Sequence, residues 1–370
     1  MSRAPESMKR VYNFSPGPST VPEAVLDRVR DELYDWQGLG MSVMEISHRG
    51  KEFQALGERM EARLRELMGI PAGHRVLFLH GGAMMQFAAV PLNLAAPNAT
   101  ADYVVTGHWG KKAVAEAGRF CTVNVAADAA AAAGSKYTSI PARESWRLTR
   151  DAAYVHYTPN ETIGGVEFHF VPDTGDVPLV ADMSSTILSR PIDVSRFGLI
   201  YAGAQKNLGI AGVTVVILRE DLLGRARRET PGVIEYAAQA AEKSLLNTAA
   251  TFVWYVLALT LDWVAEQGGV TAMGKRNAAK AKRLYDAIDA SGFYSNPVDL
   301  PARSWMNVPF VLADAKLDPV FIAEAARAGL TNLKGHRSVG GMRASLYNAM
   351  PESGVTALVD FMADFERRHA

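Results

Sequence analysis

Short apolar runs recur along the first two-thirds of the chain, separated by stretches with helical spacing. The runs are Val76-Leu-Phe-Leu-His80, Asp102-Tyr-Val-Val-Thr106, Ala153-Tyr-Val-His-Tyr157, Leu179-Val-Ala-Asp182, Leu199-Ile-Tyr-Ala202 and Val213-Thr-Val-Val-Ile-Leu218. They are continuous rather than alternating. Such strands, interleaved with helices, predict an α/β fold with a mostly parallel sheet covered on both faces. The Leu199 and Val213 runs lie too close for a crossover helix, so that pair is expected to be antiparallel. Lys111 to Phe120 can hold a helix and Ser195 to Phe197 a turn. Ala126 to Gly134 is expected to be surface helix or loop without chemistry.

Ala249 to Asp262 is strongly apolar but shorter than the ~18 uninterrupted apolar residues of a membrane span, and Asp262 ends it. It predicts a buried helix, no membrane partner and a cytoplasmic protein. A turn signal, Glu266-Gln-Gly-Gly269, follows. Beyond it Met273 to Ser291 predicts a basic amphipathic helix whose charged face is solvated. Met306 to Leu312, Leu330 to Lys334 and Met342 to Leu346 predict strands. Val320 to Ala328 and Val355 to Arg368 predict helices, completing a smaller α+β unit.

Composition narrows the chemistry. Of 370 residues, 48% are hydrophobic and 21% charged, as in ordinary globular proteins. Lys+Arg and Asp+Glu both number 39, so there is no basic excess to suggest nucleic acid. A single cysteine, Cys121, excludes a disulfide framework within the chain and a multi-cysteine zinc site. No metal is expected. The first residues lack an apolar stretch; they read as a tail rather than a secretory signal.

Three segments point to a site. His80-Gly-Gly-Ala-Met-Met-Gln-Phe87 follows a strand and opens a helix, where backbone N–H groups can cradle a phosphate. Asp182 ends a strand, and ligands of open α/β sheets bind outside the carboxyl ends of strands. Lys206 sits in the Gly-rich turn Tyr201-Ala-Gly-Ala-Gln-Lys-Asn-Leu-Gly209, with Gln205 beside it. A phosphate loop, then an Asp, then a Lys is the ordered set that pyridoxal phosphate requires. The Lys forms the Schiff base and the Asp pairs with the pyridinium nitrogen.

On these residues the sequence resembles the class-V aminotransferases of the fold-type I pyridoxal-phosphate enzymes, in particular the phosphoserine-forming members. The resemblance runs from Asn13-Phe-Ser-Pro-Gly-Pro18 to Phe365-Glu-Arg-Arg368. Between them lie Ser42 to Phe53, Pro159-Asn-Glu-Thr-Ile163, Asp182-Met-Ser-Ser-Thr186, Gly203-Ala-Gln-Lys-Asn207, Lys334-Gly-His-Arg337 and Gly340 to Ser345. It implies a segment 1–22 packing with the small domain, a large cofactor-binding domain 23–268 and a small domain 269–370.

The resemblance also implies roles. Lys206 and Asp182 are the catalytic pair and Trp109 stacks on the cofactor ring. Thr162 bonds near the ring, and the N–H groups of Ala83 and Met84 bind the cofactor phosphate with Gln205. Asn247 and Thr248 reach that phosphate from a neighbouring subunit, implying a homodimer with shared sites. Arg343 is the candidate for the substrate's α-carboxylate. His48, Arg49, His336 and Arg337 are the candidates for its distal anion. The implied substrates are L-glutamate and 3-phosphohydroxypyruvate, with a phosphorylated hydroxythreonine of pyridoxine synthesis as a second candidate. Three departures stand out: Met84 where some relatives carry Arg, Thr158 for a common Cys, and Gly165 for the Asp of Asn-Glu-Thr-Ile-Asp-Gly. Rival readings are another aminotransferase or a cysteine desulfurase on the same fold, and a non-catalytic anion-binding protein. Cys121 sits at the start of an expected strand, a structural position. The Lys206–Asp182 pair argues against a purely binding role.

Overall fold

The computed structural model describes residues 10–132 and 136–370. The expected tail at the start and part of the alanine-rich stretch lie outside the described residues.

The chain opens with β1 (Tyr12–Asn13) and α1 (Glu23–Glu32), followed by α2 (Lys51–Met68). Next come β2 (His74–Leu79), α3 (Gly82–Leu94), β3 (Thr100–Val105), α4 (His108–Ala117) and β4 (Thr122–Asp128). A single helical turn, α5 (Ala129–Ala132), leads to β5 (Val155–Tyr157) and the small hairpin β6 (Asn160–Glu161) and β7 (Val166–Glu167). Then come β8 (Leu179–Asp182), β9 (Leu199–Gly203) and β10 (Thr214–Arg219). The central sheet has the order β2-β10-β9-β8-β5-β3-β4. Within it β10 runs antiparallel to both neighbours, and the other pairings are parallel. The antiparallel β9–β10 pair is the one expected from its short connection, and that connection carries Lys206. β4 corrects the alanine-rich reading: Ala126 and Ala127 are buried in the edge strand, because the preceding Thr-Val-Asn-Val has strand propensity.

The apolar segment forms α7 (Thr251–Glu266), after the short α6 (Tyr236–Ala241). Trp254, Leu257, Leu261 and Val264 of α7 are buried in the core beneath one sheet face. No helix among the described residues is long and apolar enough to cross a membrane. The chain turns at Gly268 into α8 (Gly269–Asp289). The face of α8 is not wholly solvated: Lys280 is buried and donates to the carbonyls of Leu346 (2.8 Å), Tyr347 (2.8 Å) and Met350 (3.0 Å). Desolvation lowers its pKa to about 7, and the three carbonyls replace the water its ammonium gives up.

The last third adds β11 (Tyr294–Ser295), β12 (Asn307–Leu312), α9 (Asp318–Arg327), β13 (Leu330–Thr331), β14 (Met342–Ser345) and α10 (Glu352–His369). β11, β12 and β14 form an antiparallel sheet. β13 is shorter than the expected strand and pairs instead with β1, in parallel; Asn332 at φ 63° ends it. Phe14 joins the separate apolar cluster of this unit, with Leu284, Phe310, Phe321 and Phe365.

The β6–β7 hairpin seats against β12. Gly165 has φ +73°, and a Cβ there would lie 2.4 Å from Pro309 Cδ and 2.7 Å from the Asn307 carbonyl. Counted from Asn160, the position of the relatives' Asp is therefore Gly164. Gly165 is the glycine that the turn itself requires. Gly165→Ala is expected to destabilise the fold by about 2 kcal/mol or more, read as a lower urea midpoint. An unchanged midpoint would mean that the hairpin does not seat there.

Candidate active site

The site lies at the carboxyl ends of the parallel strands. Asp182 is the last residue of β8, opposite Tyr201 on β9. Its Oδ1 accepts from Ser184 N (3.0 Å) and Ser184 Oγ (2.6 Å), and Ser184 Oγ accepts from Gly203 N (3.1 Å). The carboxylate is thus tied to the end of β9. Burial raises its pKa, opposed by the Ser184 bonds and the charge of Lys206.

Lys206 lies three residues beyond the end of β9, almost wholly buried, and its Nζ donates to Thr162 Oγ1 at 2.8 Å. Burial lowers its pKa to about 8; Asp182 and Glu161 oppose the shift and Arg343 adds to it. The N-terminal segment braces this turn. Ser19 N donates to the Gln205 carbonyl (2.9 Å) and Ser19 Oγ to the Lys206 carbonyl (3.0 Å).

Two helix N-termini close the site. Gly81 (φ +89°) and Gly82 (φ +66°) turn the chain from β2 into α3, whose first N–H groups have no acceptor within the helix. Gly107 turns it into α4, where Glu161 takes the first N–H groups: Oε2 accepts from Trp109 N (3.0 Å) and Oε1 from Gly110 N (2.7 Å). Burial pushes the Glu161 carboxyl up to about 7 despite these bonds.

A cavity of about 270 Å³ is bounded by Ala83, Met84, Trp109, Thr162, Asp182, Gln205 and Lys206, with Gly81, Gly82, Thr158, Asn160, Ser184 and Ser185. The donor set suits pyridoxal phosphate. Helix N–H groups and Gln205 stand at one side for a phosphate, an indole for a ring face, a carboxylate for a ring nitrogen and an amine for an aldehyde. Thr158 Oγ1 and Trp109 Nε1, both on lining residues, are buried without a hydrogen-bond partner.

The substrate candidates divide. Arg343, on β14, is buried; its Nη1 donates to the Thr162 carbonyl (3.5 Å) and its Nε has no partner. Burial lowers its pKa. The His336 ring stands 5.5 Å from that of His108 on α4, and Arg337 beside it is exposed. Neither Arg343, His336 and Arg337 nor His48 and Arg49 line the cavity around Lys206. Arg49 borders a separate crevice with Gln54, Glu58, Lys243 and Leu245. Asn247 and exposed Thr248 do not line the Lys206 cavity either. Sequence reasoning quoted Glu161 inside a motif but gave it no role. Its partners lie fifty residues earlier, and no local pattern marks them.

The chain belongs to the class-V aminotransferase family, whose model matches residues 11–358. Within that class its relatives are specific. It is 58% identical over 361 residues to the phosphoserine aminotransferase of Pseudomonas syringae pv. tomato, covering 98% of this chain and 99% of that one. Among solved structures it superposes on the phosphoserine aminotransferase from Bacillus circulans subsp. alkalophilus with TM-score 0.95 and 46% identity, over 98% of this chain and 100% of that one. The pyridoxal-phosphate-bound phosphoserine aminotransferase of Trichomonas vaginalis matches with TM-score 0.91 and 41% identity, over 96% of this chain and 100% of that one.

Proposed function

We infer that this chain is itself a phosphoserine aminotransferase. It moves the amino group of L-glutamate to 3-phosphohydroxypyruvate, giving O-phospho-L-serine and 2-oxoglutarate, with pyridoxal 5′-phosphate as cofactor. The observation that carries the reading is one cavity holding the buried Lys206 amine and the Asp182 carboxylate between the α3 N-terminus and Trp109. Neighbouring sequences of 57–59% identity bear that activity in their names.

When bound, pyridoxal phosphate supplies an electron-withdrawing ring that stabilises negative charge at the substrate Cα. The chain's residues do the rest. Lys206 would hold the cofactor through Nζ, and the free Nζ amine would carry the substrate's Cα proton to the cofactor's C4′ carbon, as base and then as acid. Asp182 favours a protonated ring nitrogen, as a carboxylate beside it must. The N–H groups of Ala83 and Met84, with Gln205, hold the phosphate. Trp109 covers a ring face and Thr162 orients the Lys206 side of the ring.

Arg343 binds the α-carboxylate common to both substrates, and His336 and Arg337 bind the distal anion. Met84 gives its backbone N–H but no charge, so these residues carry more of the distal anion's binding. The unit is a homodimer. The partner's Asn247 and the partner's Thr248 complete the phosphate site. Because Arg49 shares a crevice with Lys243 and Leu245, just before Asn247, a partner that presents Asn247 and Thr248 brings His48 and Arg49 with them.

The test is the visible spectrum of the protein with pyridoxal phosphate. Glutamate is expected to bleach the band and 3-phosphohydroxypyruvate to restore it. Restoration only by a different keto acid would overturn the substrate, and absence of any band would overturn the reading.

A further inference from the structure

We propose that Glu161 is a positioning residue: by fastening the N–H groups of Trp109 and Gly110, its carboxylate sets the indole over the cavity that receives the cofactor ring. This inference rests on the reading of that cavity as a pyridoxal-phosphate site.

The geometry is specific. Both carboxylate oxygens are used, on consecutive N–H groups at 3.0 and 2.7 Å, and the residue is fully buried. Helices are ordinarily capped by a Ser, Thr, Asp or Asn at their own N-cap. Here the N-cap is Gly107, which has no side chain, and the cap comes from 52 residues beyond Trp109. The helix start is cleared to admit it. A Cβ on Gly107 would lie 2.3 Å from Glu161 Cδ, and one on Gly110 would lie 3.3 Å from Oε1.

A local cap would satisfy the same donors without burying a charge, which is costly. What the distant cap adds is a link. Glu161 is followed by Thr162, whose Oγ1 receives Lys206 Nζ, and preceded by Asn160, whose Nδ2 donates to Asn307 Oδ1 (2.9 Å) and Ser185 Oγ (2.9 Å). Three consecutive residues, the two of β6 and Thr162 after it, therefore link the Trp109 backbone, the lysine and β12 to one another. A cap made by α4 itself would leave the indole free to shift with its helix.

Glu161→Gln keeps the volume but turns an amide N–H₂ toward one of the two N–H donors, so one bond is lost. Pyridoxal phosphate is titrated into cofactor-free protein, and affinity and the induced circular dichroism of the bound cofactor are read. The expected result is about tenfold weaker affinity, as for one charge-assisted hydrogen bond, and a reduced induced signal. In a Trp109→Ala background the same substitution is expected to add less than about twofold, since the cycle isolates coupling.

Parent-like affinity and dichroism in Glu161→Gln would overturn the proposal, and so would an undiminished effect in the Trp109→Ala background. Should Glu161→Gln fail to fold, Gly107→Ala displaces the same carboxylate with Glu161 in place. It must lower the induced signal, and an unchanged signal overturns the proposal. A parent that takes up no pyridoxal phosphate overturns the functional reading first, and is distinguished because it is measured before any variant.

Discussion

Lys206→Ala is expected to lower turnover at least about 10⁴-fold and to abolish the cofactor's visible band. The substitution removes one amine with two duties. On the function proposed above, it anchors the cofactor aldehyde and is the base that moves the Cα proton, a duty worth roughly 10²–10⁴-fold alone. Neither nearby group replaces it: the Thr162 hydroxyl is not a base at neutral pH, and Glu161 is committed to two backbone N–H groups. The site also fixes a pH signature. Burial disfavours the ammonium form, so Nζ becomes the neutral nucleophile above about 8 rather than above 10.5. Capture of pyridoxal phosphate by the cofactor-free protein is expected to rise about tenfold per pH unit below that value and then flatten. Stopped-flow absorbance between pH 6 and 10 checks it. A rate still climbing at pH 10 would show that the amine is not desolvated, and near-normal turnover of the alanine variant would refute its role.

Arg343→Ala is expected to reduce kcat/KM for glutamate and for 3-phosphohydroxypyruvate alike, by roughly 10²–10³-fold. Truncating one partner of a buried charge pair costs about 2–5 kcal/mol, which spans that range. Arg343 is buried with its Nε unpaired, and its charge adds to the lowering of the Lys206 pKa, so it is a buried cation with a donor free for an anion. Both substrates bring an α-carboxylate. Arg337 differs because it is exposed. Arg337→Ala is expected to cost about tenfold, and only for substrates with a distal anion. Steady-state kinetics with L-alanine as the donor separates the two: an equal loss with alanine would contradict the assignment of Arg337.

Much of this was legible in the chain. Continuous apolar runs gave the parallel sheet, and the short Leu199–Val213 spacing gave the antiparallel pair. Asp182 and Lys206 were legible because a strand end and a glycine-rich turn are local signals. What was not legible is long-range. Nothing near Leu330 says that its strand pairs with Tyr12 rather than with its neighbours. Lys280 looks like one more charge on a basic helix until three carbonyls from a distant turn enclose it. Ala126 and Ala127 have no size or branching to announce a strand, and only the sheet edge gives them one. Glu161 caps a helix that precedes it by fifty residues. Asn247, Thr248, His48 and Arg49 lie outside the cavity their sequence blocks suggest, because a single chain does not bring them there.

The brace on the lysine turn has a consequence for the order in which the protein is made. Ser19 holds Gln205 and Lys206, and the segment carrying Ser19 is itself anchored where Tyr12 meets Thr331, 319 residues apart. The segment is translated well before the strand it pairs with, and so is among the last to find its place. At about 5–20 residues per second, it waits roughly 16 to 64 seconds for its partner strand to be translated. A nascent chain stopped short of Leu330 already contains Asp182, Lys206 and Trp109, yet its lysine turn lacks the strand that secures its brace. The strand at Leu330 and the groups at His336, Arg337 and Arg343 that follow it are thus made after the lysine turn they serve.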